Sequence, residues 1–285
     1  MATVGLLRDA RFQEHETTPN HPERPERLAA IEGLLEREGI AAAMTPIGAE
    51  PASEEALRRV HDASLLELLA REDRAAQEKR VFVDADTVMS ARSLAVARLA
   101  AGGVLRAAEL VARGELDSAF CLPRPPGHHA TSKRAMGFCL LNNVAVGAAH
   151  VLATGLAEHV AIVDFDVHHG NGTQDIFYAE PRALYISTHQ FPHYPGSGTI
   201  EETGSGDAAG TTINLPLPPG CGDHEYLRCF DEVILPALRR FAPSLILVSA
   251  GFDAHWRDPL AMENLSGPGY RAMAQRIQDV AAELE

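Results

Sequence analysis

The 285-residue sequence predicts an α/β fold with a central parallel sheet flanked by helices, on three observations. Five short apolar runs, Val4 to Leu7, Ser118 to Leu122, Val160 to Val163, Ala183 to Ser187 and Ser244 to Ser249, have the length and hydrophobicity of strands buried on both faces. Longer segments of helical periodicity separate them, the alternation expected of parallel strands joined by crossovers. Residues able to do chemistry cluster just beyond the runs, where open α/β sheets bind ligands. At 30.7 kDa and 46% hydrophobic residues the chain can bury a large core, and one domain over 1–285 is the economical reading.

A formal net charge of −14 argues against a nucleic-acid partner, which needs clustered Lys and Arg. The four cysteines, 121, 139, 221 and 229, form no C-x-x-C pair, and a chain of this length needs no disulfide staples, so a reducing cytoplasm is expected. The N-terminus has no basic region leading into a long apolar run. No stretch reaches about eighteen uninterrupted apolar residues. Neither signal peptide nor membrane partner is expected.

In chain order, the strand at Val4 to Leu7 leads into a polar loop carrying His15 and His21, either solvated or within reach of a site. Pro25 suits the first turn of a helix to about Glu38. Ser53 is a candidate N-cap for a helix to about Arg71, with Leu57, Val60, Leu65, Leu68 and Leu69 at apolar spacing. After a turn at 84–87, an Ala/Leu-rich helix spans about Ala91 to Arg113, and Gly102 and Gly103 inside it suit close packing better than binding. The strand at Ser118 runs into P-R-P-P-G-H-H-A, where prolines stiffen a loop presenting His128 and His129, a pair suited to proton transfer near neutral pH. A buried helix is expected from Phe138 to Leu152, with the Phe138 ring in a pocket or in the core. Past Ser187 lies the loop T-H-Q-F-P-H-Y-P-G-S-G. The glycine-rich turn 204–210 lacks the Lys and Ser or Thr of a phosphate loop. A helix from Asp223 to about Arg240, the strand Ser244 to Ser249 and a sheet-packed surface helix from about Ser266, with Met273, Ile277 and Val280 at helical spacing, complete the chain.

The densest chemistry follows the strand at Val160, in V-D-F-D-V-H-H-G-N-G. Alternation along an extended chain sends Asp164, Asp166 and His168 to one side. Asp253 stands just past another strand. Asp166, His168 and Asp253 make a set of two carboxylates and one imidazole, which leaves a tetrahedral metal an open position for water, the catalytic arrangement. Zinc fits, and so do iron and manganese. The His128/His129 pair could take the proton of a metal-activated water, and the implied reaction is hydrolysis.

H-P-E-R-P-E-R-L at 21–28, R-P-P-G-H-H-A at 124–130, G-F-C-L-L-N-N-V-A at 137–145, D-F-D-V-H-H-G-N-G-T at 164–173 and S-A-G-F-D-A-H at 249–255 followed by D-P-L at 258–260 together resemble the histone deacetylase superfamily. The resemblance covers most of the chain. It implies an arginase-like fold with an eight-stranded parallel sheet, and a zinc amidohydrolase acting on acylated lysine in proteins or peptides, or on small acylated amines. It places one Zn²⁺ on Asp166, His168 and Asp253, pairs His128 with Asp164, and pairs His129 with Asn171. The amide at 171 is similar to the class II branch and its bacterial relatives, and fits His129 as the proton-transferring group. It further implies that Gly137, Phe138, Tyr194 and Leu260 line a substrate tunnel. A K⁺ ion is implied beside the zinc, held by the backbone of Asp164, Asp166 and His168 and by Ser187, with Thr188 adjacent. Leu260 stands where polyamine-selective members carry an acidic gatekeeper, which favours acyl-lysine. The resemblance leaves a homo-oligomer open.

Members of that family normally end with a further strand and an E-G-G-Y loop whose tyrosine helps hold the oxyanion, and the sequence stops at Glu285 without it. Tyr270, at a helix start, is not that residue. The expectation is an oxyanion site lacking one donor, worth about 10² to 10³ in rate, unless another group substitutes. A binder of acyl-lysine without useful turnover is the second reading. A two-metal arginase-like hydrolase would need a carboxylate where Gly170 stands.

Overall fold

The computed structural model describes residues 2–284, in two compact units that meet in sequence at Leu156 and Ala157. The first unit contains β1 (Val4–Leu7), α1 (Glu26–Arg37), β2 (Thr45–Ile47), α2 (Glu54–Arg58), α3 (Ala63–Ala76), β3 (Val81–Phe82), β4 (Val88–Met89), α4 (Ser93–Ala112), β5 (Ser118–Cys121) and α5 (Asn143–Ala153). Its sheet is parallel in the order β2-β1-β5, with Leu7 opposite Ile47 and Cys121. The core joins Leu6, Leu7, Phe12 and Ile47 to Val96, Leu99 and Ala107 of α4. Gly102 and Gly103 act by closeness, as expected. A Cβ on Gly102 would lie 1.9 Å from the Glu50 carbonyl oxygen, and one on Gly103 2.8 Å from Leu7.

The second unit contains β6 (Val160–Asp164), α6 (Asn171–Phe177), β7 (Ala183–Gln190), β8 (Thr212–Leu217), α7 (Asp223–Cys229), α8 (Leu235–Phe241), β9 (Leu245–Ser249) and α9 (Gly267–Leu284). A π-helical turn, Phe230–Ile234, joins α7 to α8. The four strands are parallel in the order β8-β7-β6-β9. Each of β6 and β7 has a strand on both sides and is buried along its whole length, and each opens on a continuous apolar run, 160–163 in β6 and 183–186 in β7, before buried polar residues close it. α9 buries Tyr270, Met273, Ile277 and Val280 against a core shared with Val163 and Ile186, the sheet-packed helix expected.

The elements depart from the sequence reading in a few places, each with a physical reason. The helix expected over 53–71 is two, because Asp62 caps a new start by accepting from the Ser64 backbone N–H at 2.9 Å. The helix expected from Phe138 begins at Asn143. Asn142 accepts from Ala145 N at 3.1 Å, while Gly137 and Phe138 take positive φ in a tight turn closed by Met136 and Cys139. β2, β8 and the β3-β4 hairpin were not read from sequence. β2 and β8 carry Pro46 and Pro216 and lie at the edges of their sheets, where a missing N–H is tolerated. Among the described residues the parallel strands form a set of three and a set of four, flanked by helices.

Glu263 yields a stability test. It is buried, and neither carboxylate oxygen makes a well-formed hydrogen bond among the described residues. Burial pushes its carboxyl up to about 7 against the pull of the Cys221 backbone, and the negative charge of Glu225 adds to the rise. A raised native value means that the protonated carboxyl favours folding at low pH and that this contribution is lost as pH climbs through about 7. Glu263→Gln should therefore melt a few degrees above the parent at pH 8 and close to it at pH 5 by calorimetry, on the scale of about 2–4 °C per kcal/mol for larger domains. Equal shifts at both pH values would refute this.

Candidate active site

The metal-ligand candidates converge in the second unit. Asp164 closes β6 opposite Ser187 of β7 and Ser249 of β9. Beyond the strand the chain stays pinned between its neighbours: Phe165 N donates to Ser249 O at 3.1 Å, and Gln190 N donates to Val167 O at 2.8 Å. Side-chain alternation therefore continues past the strand. Ala161, Val163, Phe165 and Val167 enter one hydrophobic core, and Asp166 and His168 turn the other way.

His168 Nδ1 lies 3.1 Å from Asp166 Oδ1 and 3.0 Å from Asp253 Oδ2, and one ligand atom from each of the three residues falls within 4.8 Å of the others. Backbone amides aim both carboxylates. His168 N donates to Asp166 Oδ1 at 2.9 Å, and Val167 N donates to Asp253 Oδ1 at 3.0 Å. Asp164 braces the turn by accepting from Asp166 N at 3.2 Å. Burial alone would lower the imidazole, but hydrogen bonds to Asp166 and Asp253 raise His168 to about 10. Burial and the charge of Asp166 raise the Asp253 carboxyl. Two carboxylates that draw a proton onto the imidazole between them have the donor set and charge balance of a divalent-cation site. Gly251, not anticipated from sequence, makes room for it: a Cβ there would lie 2.1 Å from Asp166 Oδ2.

Around this cluster, Tyr194 sets its ring edge-on to His168 at 6.1 Å between centroids. Leu260 is half-buried, its carbonyl bonded by His193. Asn171 is the first residue of α6. Ser187 is buried with Oγ 2.9 Å from His189 Nδ1, and Thr188 Oγ1 is buried without a hydrogen-bond partner among the described residues. Tyr270 also has a buried hydroxyl that makes no well-formed hydrogen bond among the described residues, and its ring packs against Phe165 and Phe252.

The histidine pair belongs to the first unit. His128 and His129 are both buried, with ring centroids 4.0 Å apart. Their loop is anchored by Arg124, which is fully buried. Its guanidinium grips the Glu23 carboxylate through Nε and Nη2, and donates to the carbonyls of Phe12 and His15 at 2.9 and 2.8 Å. Asn143 Nδ2 donates to Pro125 O at 3.0 Å. His61, a residue not singled out from sequence, completes the support by joining Thr131 O through Nδ1 at 3.0 Å and accepting from Asn142 N at Nε2. Burial lowers it to about 4, so it is neutral. Gly137 packs directly on the pair, since a Cβ there would lie 2.4 Å from His129 Cδ2. Phe138 is half-buried, with His21 edge-on at 4.7 Å. His15 is a framework residue: its Nδ1 meets Ser93 Oγ at 2.7 Å, and burial lowers its imidazole to about 4.

Comparison with known proteins gives a consistent family. A model described as the histone deacetylase domain matches residues 21–285. A probable deacetylase of Archaeoglobus fulgidus is 43% identical over 98% of this chain and 77% of its own length. A histone deacetylase-like amidohydrolase of Pseudomonas aeruginosa is 41% identical over 92% of the chain and 68% of its length. The crystal structure of the HDA15 HD domain superposes with a TM-score of 0.93 at 37% identity, over 99% of this chain and 80% of that one. The chain spans under two thirds of some longer plant relatives, 63% of one and 44% of another.

Because Gly251 sits against Asp166, Gly251→Ala should weaken binding of added Zn²⁺ by about ten- to a hundredfold, the scale of a lost supporting contact. Competition with a chromophoric chelator measures this, and parental affinity would show that the close approach does not matter.

Proposed function

The chain belongs to the histone deacetylase family, whose members hydrolyse amides, and on that premise we propose that it is a zinc-dependent deacylase of lysine side chains. The observation that carries the proposal is the convergence of Asp166, His168 and Asp253 on one ligand cluster. Those three residues would hold the metal, with His168 contributing Nδ1. When bound, zinc supplies a Lewis acid that lowers the pKa of water and polarises the acyl carbonyl.

The remaining work falls to the chain's own groups. We assign His129 the transfer of a proton at its ring nitrogen to the departing amine, with His128 as its electrostatic companion. Asp164 holds the ligand-bearing turn by accepting from Asp166 N. Asn171 offers an amide, which orients a partner without adding charge. In the second unit Tyr194 and Leu260 would flank an acyl-lysine stem. In the first, the Gly137–Phe138 turn beside His129 would present an apolar ring to the substrate. The absence of an acidic side chain at position 260 favours acyl-lysine over polycationic amines. A potassium ion would lie beside Ser187 and Thr188 within β7, where Ser187 is buried and Thr188 Oγ1 has no hydrogen-bond partner among the described residues.

Purified protein should carry one zinc per chain and hydrolyse an acetyl-lysine reporter, with the activity lost on chelation and restored by Zn²⁺. Asp253→Ala should bring zinc content well below one equivalent by elemental analysis. Full occupancy in that variant would remove Asp253 from the ligand set.

His129→Ala should slow deacetylation by about 10² to 10⁴, the usual size of a proton-transfer contribution, while hydroxamate affinity falls by much less. Parental rates in this variant would exclude His129 as the proton carrier.

A further inference from the structure

His193 has no part in the chemistry described above, yet it touches two of its components. It stands in the loop after β7, one residue before Tyr194. Its ring lies over that of His168, with centroids 5.1 Å apart and planes 21° from parallel. Its Nε2 is 3.0 Å from the Leu260 carbonyl oxygen. A carbonyl only accepts, so Nε2 carries the proton and donates it, and that proton is not available for shuttling.

The segment that bears Leu260 is held from several sides. Leu260 N donates to Asp258 Oδ1 at 2.9 Å within a local turn. Met262 N donates to Gln190 Oε1 at 2.8 Å, and Gly220 N to Met262 O at 2.8 Å. These bonds fix the backbone N–H of Leu260 and the C-terminal flank of the segment, and leave the Leu260 carbonyl to another donor. The bond from His193 holds the Leu260 carbonyl and references its position to the face of the His168 ring. A phenyl ring could fill the space over His168, but only a donor satisfies the carbonyl.

We propose that His193 is a specificity-determining positioning residue, which sets the distance between the metal-ligand cluster and the Leu260 rim and so selects the length of the acylated side chain. The substrate half of this inference rests on the proposed deacylase function, and the geometric half does not.

The test compares His193→Phe, which keeps a ring and loses the donor, with His193→Gln, which keeps a donor and loses the ring. Backbone amide exchange over residues 258–262 is followed by mass spectrometry in the metal-free and the zinc-loaded protein, and KM and kcat are measured with an acetyl-lysyl peptide. The Phe variant should speed exchange in both forms and raise KM by about three- to tenfold, the weight of one hydrogen bond, with a smaller change in kcat. The Gln variant should restore both towards the parent. If the Phe variant does not fold, His193→Leu, which also lacks the donor, takes its place. Parental exchange or parental KM in the donor-free variant overturns the inference, and so does equal impairment of the Phe and Gln variants. If the parent itself fails to turn over the peptide, it is the deacylase reading that fails. The exchange measurement then decides the His193 clamp alone, with faster exchange supporting it and unchanged exchange overturning it.

Discussion

Parallel pairing of β6 with β7 on one side and β9 on the other is the constraint on which the ligand cluster depends. Parallel strands deliver their following loops to the same edge of the sheet, and the register sets Asp164, Ser187 and Ser249 at one level. Two residues past that level on β6 stands Asp166, and four past it on β9 stands Asp253. A shift of one residue would turn Asp166 and His168 into the apolar core and Phe165 and Val167 out of it. The hydrophobic demand of that core and the aim of the candidate ligands are thus one condition. Backbone amides then finish the orientation, since Val167 N holds one oxygen of Asp253 and His168 N one oxygen of Asp166.

The histidine pair is held by a different device. The rigidity of its loop comes from buried polar groups that hydrogen-bond to one another and to backbone carbonyls and amides. Arg124 is tied to Glu23 and to two backbone carbonyls, and His61 bridges Thr131 and Asn142. A buried ion pair adds little net stability but tolerates few geometries, because any arrangement that strands one partner costs several kcal/mol, about 3–5. The segment H-P-E-R-P and the segment R-P-P-G-H-H, a hundred residues apart, therefore act as one structural unit around Glu23 and Arg124.

A similar network lies under the loop that carries His193 and Tyr194. His169 meets Ser197 and Gln174, Gln174 also accepts from Asn214, and Glu202 accepts from the amides of Gly198 and Thr199 at 3.0 Å each. Gly198, with φ of +91° and a Cβ position 2.5 Å from His189 Nε2, allows the loop to lie directly on these imidazoles. Glycines and amides thereby lend a long, irregular loop the fixity of an element, which is what a residue placed over His168 requires.

Periodicity and burial made the parallel architecture readable in the sequence, because strands buried on both faces must be continuous apolar runs. β6 and the first half of β7 are such runs, β9 is apolar although only partly buried at the edge of its set, and the acids and histidines beyond them stood out as the candidate place of chemistry. β2, β8 and the β3-β4 hairpin were not readable, since edge and two-residue strands carry prolines and polar side chains like any loop. Helix breaks at Asp62 and Asn142 depended on side-chain caps that compete with continuing periodicity. What only tertiary structure decided are the contacts between distant segments: Gly251 against Asp166, Gly137 against His129, Arg124 on Glu23, and His193 between His168 and Leu260. A sequence states which groups are present and how they alternate. Which backbone comes within 3 Å of which side chain is settled by packing the whole chain, and that distance turns a list of acids and histidines into a site.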